Sequence, residues 1–538
     1  MIASAAMMIG LSTIPSVTPD DPEFDNAPII QASLDDVESI CVVLPAGTYY
    51  VRSEVIVPTG KELSGQGRGI TTLKAYATFS QNSDRGFTGL IVSDNATSTR
   101  VRDMTLDGSK LPSLEGLIKG VIMYRTRDFL VERVESINCN SYSFWACALF
   151  SNPDSVRSSG VFRNVRSINA NVHFECSNAL EVLWDGMEWS GGDGDIACEG
   201  VYHALAGSRN ITYQNGRQVG PGSGTILYVL ANEDSNTENI RFCNCDGFGN
   251  AGQVAIQISG GSAARRVNNL EIIDCDVGGT SIGMIAAYAS VRVENSRFDF
   301  QGNEGVNATG TSTLNFFNTT LKIATANPGA TAVPFNFDTS SAISFSGGTL
   351  WFNCTAGKER TAYSGDLYMT PATRVVRGVS GTEQIGGESP AGIGSVVKRL
   401  TVADQAFSNG NTLDDFKFST APNAVYRVRV NGVMTGGGPV TGIKFNSYSG
   451  GGGTQRSAVG VGILSATPDN TFTGKIGAIT GAQGGDSAAV YGAIGAGKQI
   501  GFALEFTLTA NGQNFVPIQG HGSGTLLAGA TFEIERLS

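Results

Sequence analysis

Acidic side chains cluster between residues 171 and 199, in two short stretches that each contain a cysteine. The first stretch is NVHFEC, and the second is GDGDIACE. Glycoside hydrolysis needs two carboxyl groups beside the scissile bond, about 5–5.5 Å apart in retaining enzymes and about 6.5–9.5 Å apart in inverting ones. We therefore predict glycosidase chemistry here, with these candidate catalytic residues: His173, Glu175, Asp193, Asp195 and Glu199.

The alternation of side chains along a strand predicts how these residues meet. If HFEC pairs with DIAC on the next strand, with Cys176 beside Cys198, the phenylalanine and both cysteines point inward. The outward side chains are then His173, Glu175, Asp195 and Glu199. Glu175 would lie diagonal to both later carboxylates, about 8 Å away between backbones, and this separation suits an inverting hydrolase.

A second acidic pair and a plainer interpretation compete with this cluster. Glu233 and Asp234 follow the strand TILYVLA and are the second-choice catalytic pair, with an ordinary turn as the alternative. Outward carboxylates often belong only to a solvated surface, and some clustering is expected among 48 acidic residues. Asp107 in LDG and Asp246 in CDG are interpreted as turn formers.

Cleavage by elimination is the chemical alternative, and no cofactor is predicted for either reaction. Elimination needs a base that removes the proton α to a sugar carboxylate, often with Ca²⁺. Lys and Arg are scarce on the central strands, so hydrolysis is favoured, although Arg265 and Arg266 keep elimination open. A zinc site at Cys243 and Cys245 would need four ligands, and no histidine is close in sequence. Nine cysteines, an odd number, predict buried free thiols.

A repeat predicts the elements that must position these residues. Each copy reads apolar residue, any residue, turn former, inward position, and copies follow one another at intervals of 21 to 31 residues. Such periods indicate a solenoid. The copies begin at Val101, Val131, Phe162, Trp184, Tyr213, Phe242, Ile272, Val293, Phe316 and Phe345.

The third position of each copy predicts the type of solenoid. It holds Asn, Asp or Gly in every copy except one, where it holds Arg133. These residue types tolerate the left-handed backbone of a tight bend between strands. The flanking residues are β-branched or aromatic and show no helical spacing. Glycine makes up 70 of the 538 residues, against a usual level of about 7%. We therefore predict an all-β chain built around a parallel β-helix.

The two ends of the chain differ from this repeat. No Lys or Arg precedes Arg52, so the apolar start lacks the charged region of a signal peptide. Its apolar run of about eleven residues is too short to span a membrane. Short alternating strands without Cys or Trp predict a terminal β-sandwich. The predicted domains are an apolar N-terminal attachment segment (1–20), a capping helix with the first strands (21–60), a parallel β-helix (61–355), a neck (356–394) and a C-terminal β-sandwich (395–538).

Three segments resemble a known family. They are NAPIIQASLDDVESICVVLPAGTYYV, VPTGKELSGQGRGITTLKA and VRDMTLDG, and they are similar to the opening of the pectate-lyase-like right-handed parallel β-helices of tailed-phage tailspikes. The run from YRVRVNG to LLAGATFEIERL is similar to the terminal jelly-roll or tumour-necrosis-factor-like sandwich that trimerises many phage tail proteins. The resemblance implies a right-handed parallel β-helix followed by a trimerising β-sandwich.

The resemblance also implies a function and partners. We expect a homotrimeric tailspike in the virion tail, assembled in the host cytoplasm and acting outside the cell. Its amino end would bind a tail adaptor or portal-proximal protein, and its β-helix would bind and depolymerise host capsule or O-antigen. The alternatives are a non-enzymatic adhesin and a secreted bacterial polysaccharide lyase. A net charge of -11 argues against nucleic acid and anionic membrane surfaces as partners, and we predict no membrane insertion.

Overall fold

The structure is a computed structural model of the chain. It describes residues 11–13, 17–76, 78–80, 87–109, 118–148, 156–191, 200–205, 207–222, 224–231, 235–249, 254–279, 282–302, 304–324, 333–338 and 340–353. After residue 353 it describes the residues that lie in strands, together with Leu537.

One helix is present among the described residues, and nearly all other regular structure is β. The helix and the strands up to residue 150 are α1 (Ala27–Asp35), β1 (Leu11–Thr13), β2 (Cys41–Val43), β3 (Gly47–Val51), β4 (Val55–Ile56), β5 (Glu62–Ser64), β6 (Thr71–Ala75), β7 (Thr88–Asp94), β8 (Arg100–Asp107), β9 (Ile118–Tyr124), β10 (Phe129–Ile137) and β11 (Tyr142–Cys147).

The strands between residues 160 and 353 continue this series. They are β12 (Gly160–Arg163), β13 (Arg166–Ile168), β14 (Val172–Ser177), β15 (Leu180–Asp185), β16 (Glu188–Ser190), β17 (Gly200–Leu205), β18 (Arg209–Gln218), β19 (Thr225–Leu230), β20 (Thr237–Gly249), β21 (Ile256–Ser259), β22 (Val267–Ile273), β23 (Asp276–Gly279), β24 (Met284–Ala287), β25 (Ala289–Glu294), β26 (Arg297–Phe300), β27 (Glu304–Thr309), β28 (Thr313–Ala324), β29 (Val333–Phe337) and β30 (Ala342–Asn353).

The remaining strands lie toward the carboxyl end. They are β31 (Ala362–Tyr363), β32 (Asp366–Met369), β33 (Arg374–Arg377), β34 (Thr382–Ile385), β35 (Val396–Thr401), β36 (Gln405–Phe407), β37 (Phe418–Ser419), β38 (Pro422–Phe445), β39 (Ser457–Ala466), β40 (Gly481–Ala482), β41 (Ala489–Gly492), β42 (Gln499–Asn511), β43 (Asn514–Phe515), β44 (Ile518–Leu526) and β45 (Thr531–Arg536).

Two compact units make up the chain, and the first is the β-helix. It comprises residues 1–314 and 333–341. Parallel pairing from rung to rung builds three sheets in it. Sheet 1 contains β4, β7, β9, β11, β14, β17, β19, β21, β24, β27 and β29. Sheet 2 contains β5, β12, β15, β22, β25 and the first halves of β8, β10, β18 and β20; sheet 3 contains β6, β13, β16, β23, β26 and the second halves of those four strands. The predicted right-handed parallel β-helix is confirmed.

The bend between sheets 2 and 3 confirms the left-handed backbone predicted for the third position of each copy. All ten third positions have positive φ: Asp103, Arg133, Asn164, Gly186, Asn215, Asn244, Asp274, Asn295, Asn318 and Gly347. Asn244 donates from Nδ2 to Asn215 Oδ1 at 3.0 Å, so neighbouring rungs are also bonded through their side chains. Arg133, the exception in residue type, takes the same conformation at φ 52°, and its guanidinium bonds both carboxylate oxygens of Asp103, at 2.6 and 2.9 Å.

The interior between sheets 1 and 2 is a stack of aromatic rings. Phe162 and Trp184 lie nearly parallel with centroids 3.8 Å apart, and the stack continues through Tyr213. Facing it from sheet 1, Phe174 lies edge to face with Trp184 at 5.7 Å. All four side chains are fully buried, and such offset and edge-to-face pairs add stability beyond their buried area. The apolar first position of the repeat is therefore the core of the coil.

The amino-terminal region contains the predicted helix. α1 buries Ala27, Ile30 and Leu34 along one face. The Gln31 amide of α1 donates to the Ile56 carbonyl at 3.0 Å and accepts from the Ile56 N–H at 2.8 Å. These bonds tie the helix to the edge of sheet 1. Within the described part of the chain, no helix has the length and apolar character needed to cross a membrane.

The second unit comprises residues 315–332 and 342–538, and it changes from parallel to antiparallel pairing. β30 pairs in parallel with β33, whereas β33, β34 and β35 pair antiparallel in turn. The strand β38 pairs antiparallel with β42 on one side and with β45 and then β44 on the other, and residues 441–444 also pair with β41. The predicted C-terminal β-sandwich is confirmed.

Every described cysteine is a free thiol, as predicted. Six are buried and Cys243 is partly exposed. Cys198 and Cys354 lie outside the described residues. Among the described residues, no three His, Cys, Asp or Glu side chains form a group suited to a metal ion.

Candidate functional site

The register of sheet 1 corrects the predicted rung partners. β14 pairs with β17, so that Phe174 lies beside Tyr202 and Glu175 beside His203. The predicted pairing of HFEC with DIAC is therefore wrong. The cause is a connection of variable length: β13 and β14 are separated only by residues 169–171, whereas β16 and β17 are separated by residues 191–199.

His173 does not point outward, and that part of the prediction is also wrong. Its side chain is fully buried, its Nδ1 lies 2.6 Å from Ser167 Oγ, and its ring centroid lies 5.5 Å from that of Trp189. Burial, aided by the charge of His203, lowers the pKa of His173 to about 3. The counterparts one and two rungs on, Val201 and Ile226, are apolar and buried. His173 is a neutral core residue.

Glu175 points outward as predicted, but it is not solvated. It alternates with inward Phe174 and Cys176 along β14, and only 2% of it is exposed. The other predicted site residues lie outside the described residues: Asp193, Asp195, Glu199, Glu233 and Asp234. Their catalytic roles stay predictions, as does that of Glu175.

The outward face of sheet 1 brings Glu175 together with residues from three other strands. Trp145, Glu175, His203 and Tyr228 are direct neighbours on four successive strands, and we call these four residues the outer row. Rungs are about 4.8 Å apart, so the row follows the stacking direction. Glu175 and His203 are 2% and 4% exposed. The aromatic rings of the row can stack on a sugar, and its carboxyl group and imidazole can transfer protons.

Hydrogen bonds fix the carboxylate within the outer row. Ser177 Oγ donates to Glu175 Oε1 and accepts from Trp145 Nε1 at 3.1 Å. His203 Nδ1 lies 3.5 Å from Glu175 Oε2, and the His203 ring meets Tyr228 edge to face with centroids 4.9 Å apart. Among the described residues, His203 Nε2 and Glu175 Oε2 have no hydrogen-bond partner. The carboxyl group is thus oriented from one side by Ser177, and buried polar atoms of both Glu175 and His203 remain without a hydrogen bond in the described part of the chain.

Lys119 adds a cation to the same face. It lies on β9 with only 7% exposed. Its Nζ is 5.2 Å from the ring centroid of Tyr142 and 5.3 Å from that of Trp145. Burial lowers the pKa of Lys119, while the nearby Cys147 and Glu175 act in the opposite direction. The face therefore combines an acid, a base and a cation with aromatic rings.

A polar cavity of about 530 Å³ lies over sheet 3. Asp246 and Asp276 line it from neighbouring rungs of β20 and β23, together with Asp299. Burial raises the pKa of Asp246, Asp276 adds to this, and a hydrogen bond from the Gln218 N–H opposes it. Arg297 Nη1 lies 3.7 Å from Asp276 Oδ2. The carboxylates here face a cation, and Phe248 also lines the cavity.

The two aspartates predicted as turn formers differ. Asp107 ends β8 and accepts the Ser109 N–H at 2.8 Å, so that prediction is confirmed. Asp246 lies inside β20 and lines the cavity over sheet 3, so its prediction is wrong.

Sequence reasoning missed His203, Tyr228, Trp145 and Lys119 because their partners lie one rung away in a register that was misassigned. A sequence pattern could have given the correct register of sheet 1: an inward aromatic residue is followed two positions later by a small residue. Phe144 precedes Ala146 in this way, as Phe174 precedes Cys176, and Tyr202 precedes Ala204 in the strand GVYHAL. The segment DIAC has the small residue without the aromatic one.

No family model matches the chain, and no curated protein matches it. Solved structures do. A tailspike protein mutant of E. coli bacteriophage HK620, in complex with a hexasaccharide, aligns with 92% of this chain and 91% of its own at 12% identity and a TM-score of 0.50. The bacteriophage phi29 gene product 12 N-terminal fragment aligns at 12% identity over 71% of this chain and 74% of its own, with a TM-score of 0.46.

A third solved structure is the A-module of a mannuronan C-5 epimerase from Azotobacter vinelandii. It aligns at 14% identity over 68% of this chain and 96% of its own, with a TM-score of 0.40. The HK620 alignment spans nearly all of both chains, so the likeness includes the antiparallel carboxyl-terminal region as well as the parallel coils. This chain shares its fold with a phage tailspike.

Proposed function

We propose that this protein is a phage tailspike that binds a host surface polysaccharide along the outward face of sheet 1 and cleaves it. The outer row carries the proposal, because it places Trp145 and Tyr228 on either side of a sheltered acid and imidazole. The HK620 tailspike structure that shares this fold is a complex with a hexasaccharide. That complex supports an oligosaccharide as the ligand of this protein.

Hydrolysis is the favoured reaction. The C–O glycosidic bond breaks, one carboxyl group gives its proton to the leaving oxygen, and a second group takes a proton from water as the water adds to the sugar. Glu175 is the proposed proton donor, because Ser177 and His203 orient its carboxyl group in a site sheltered from bulk water. Asp195 is the proposed partner, with Asp193 and Glu199 as neighbouring choices.

Elimination is the second candidate, and Lys119 favours it. In this reaction a base removes the proton α to a sugar carboxylate, the bond to the leaving oxygen breaks, and a double bond forms. His203 would be the base, Tyr228 the acid, and Lys119 the cation beside the carboxylate. Arg266, another candidate base, donates hydrogen bonds to Thr311 through its guanidinium group.

Sizing the products of a purified host capsule or O-antigen tests the reaction. Wild-type protein is expected to release short oligosaccharides with new reducing ends, and Glu175→Gln to bind without cleaving. Unsaturated products would replace hydrolysis by elimination. Binding with no products from the wild type would identify an adhesin. Loss of cleavage in Asp246→Asn but not in Glu175→Gln would move the catalytic site to the cavity over sheet 3.

Assembly completes the proposal. The protein is a homotrimer held by its C-terminal sandwich, and its amino end binds a tail adaptor, so that it acts outside the cell on the virion. Light scattering is expected to give three times the mass of the chain. A monomer at micromolar concentration would contradict the trimer. Mixing with tail adaptor protein should capture the full chain but not one lacking residues 1–20, whereas equal capture would contradict the attachment role of that segment.

A further inference from the structure

Lys119 is a buried cation in an aromatic recess. It points outward from β9, where it is 7% exposed. Three rings surround its ammonium group: Nζ lies 5.2 Å from the centroid of Tyr142, 5.3 Å from that of Trp145 and 6.0 Å from that of Phe87. Cation–π contacts of this kind compensate only part of the cost of removing a charge from water.

The ammonium group makes no ion pair with a carboxylate among the described residues, although the charge of nearby Glu175 opposes the lowering of its pKa by burial. Other cations on the β-helix have one: Lys74 lies 3.1 Å from Asp107, and Arg125 lies 3.1 Å from Asp94. Those two cations are also more exposed, at 35% and 32% of the side chain. Lys119 is thus the most buried lysine or arginine among the described residues, yet it makes no ion pair there, although burial makes a partner most valuable.

The position of Lys119 indicates that its anionic partner belongs to a bound sugar. Trp145, the first residue of the outer row, lies against it. A sugar ring stacked on Trp145 therefore places its substituents within reach of the ammonium group. The chain as a whole carries a net charge of -11 and repels polyanions at long range. Affinity for an acidic polymer must then come from a local cation in the site.

We propose that Lys119 is a subsite for an anionic substituent of the sugar, so that the polysaccharide bound by the outer row is an acidic one. A carboxylate of a sugar acid and a phosphate on the ring share the required chemistry. The inference rests on the proposed function, since it names the class of polysaccharide that the outer row binds. Trp145 and Tyr142 supply the stacking surfaces, and Lys119 supplies the charge selection.

A panel of immobilised bacterial polysaccharides tests the subsite, with neutral, carboxylate-bearing and phosphate-bearing members. Wild-type full-length protein is expected to be retained only by anionic members, and the carboxylate and phosphate arms identify which group is bound. Lys119→Met should lower the affinity at least tenfold, and Lys119→Arg should lose less. Lys74→Met, which removes an outward lysine of sheet 3, is the matched control and should bind like the wild type.

The outcomes separate the two proposals. Wild-type retention by neutral members alone, or equal affinity of Lys119→Met for an anionic member, would overturn the anionic subsite and leave polysaccharide binding intact. Retention by no member of the panel would overturn both. Thermal unfolding is the second measurement: removing an unpartnered buried charge should leave the melting temperature of Lys119→Met no lower than that of the wild type. A lower value would mean that the ammonium group already has a partner, which also contradicts the subsite.

Discussion

Sheets 1 and 2 present outward faces of the same β-helix, yet their polar side chains are arranged differently. On sheet 2, Arg241 and Glu271 are rung neighbours whose Nε and Oε2 atoms lie 2.7 Å apart, and their side chains are 52% and 23% exposed. On sheet 1, Glu175, His203 and Lys119 are each at most 7% exposed. The second group includes a histidine nitrogen that has no hydrogen-bond partner in the part of the chain that the structure describes.

The difference separates what the fold needs from what a site needs. Parallel pairing and alternation require only that outward side chains tolerate water, and exposed pairs such as Arg241 with Glu271 satisfy this at little gain in stability. Burying polar groups that remain incompletely paired costs stability. Incompletely paired buried groups of this kind occur mainly at functional sites, where stability is lost in exchange for activity.

The two buried histidines of sheet 1 give the largest expected contrast. His203→Gln should lower glycan cleavage, because His203 orients the proposed proton donor Glu175 in hydrolysis; if the reaction is an elimination, the variant loses its base and the loss should be roughly 10²–10⁴-fold. His173→Leu should cleave like the wild type, because His173 lies on the opposite, inward side of the sheet. Rates on purified host glycan measure both. Loss of cleavage in His173→Leu with the fold intact would remove the distinction between the two faces.

The second contrast is the pH dependence of stability, which should follow His173. The folded protein keeps this imidazole neutral down to a pKa of about 3, whereas the unfolded chain takes up a proton near pH 6.5. Stability is therefore full above about pH 6.5 and falls as the pH drops toward about 3, by at most about 4–5 kcal/mol from this group. Urea unfolding at several pH values measures the slope.

His173→Leu is the variant that isolates this effect from the carboxylates. It should flatten the slope between about pH 6.5 and about pH 5.3, where few carboxylates have been protonated. The hydroxyl of Ser167 keeps a partner in the variant, since it also donates to Ser143 Oγ at 2.6 Å. An unchanged slope would mean that His173 is not the neutral core residue described above.

Sequence predicted sheet 2 better than sheet 1 for a physical reason. The bend after sheet 2 needs a left-handed backbone at one position, and Asn, Asp and Gly reveal that need by residue type. The bend at Arg133 could be predicted too, although arginine is not a turn former, because its copy begins at the regular spacing. No comparable residue type marks the start of a sheet 1 strand, and the connection before it varies in length.

The candidate site was therefore only partly predictable. Glu175 and its outward direction follow from alternation alone. His203 could not be paired with Glu175 without counting the residues of the connection between β16 and β17. Burial was the other omission, because alternation assigns a direction and does not say whether neighbouring segments cover the side chain. Outward position was mistaken for exposure in the case of Glu175.

A smaller effect is expected at the bend itself. Asn244 has φ 50° and bonds Asn215 in the ladder that ends the strands of sheet 2. Asn244→Val should cost about 1–2 kcal/mol of unfolding free energy, because a β-branched residue is strained in a left-handed backbone. Affinity for glycan should not change, since the outer row lies on sheet 1. Thr212→Val, in an extended strand of sheet 2, is the matched control and should change stability by less than about 0.5 kcal/mol.

The smallest expected effect tests whether the charged pairs of sheet 2 matter at all. A double-mutant cycle on Arg241→Ala and Glu271→Ala should give a coupling energy of about 0.2–1 kcal/mol, because the pair is exposed and water screens it. High salt should reduce this coupling further. Urea unfolding of the four proteins measures it, and glycan affinity should be equal in all four. A coupling above about 2 kcal/mol would mean that charged pairs on the outward face of sheet 2 stabilise the fold substantially, and a change in affinity would mean that this face also binds glycan.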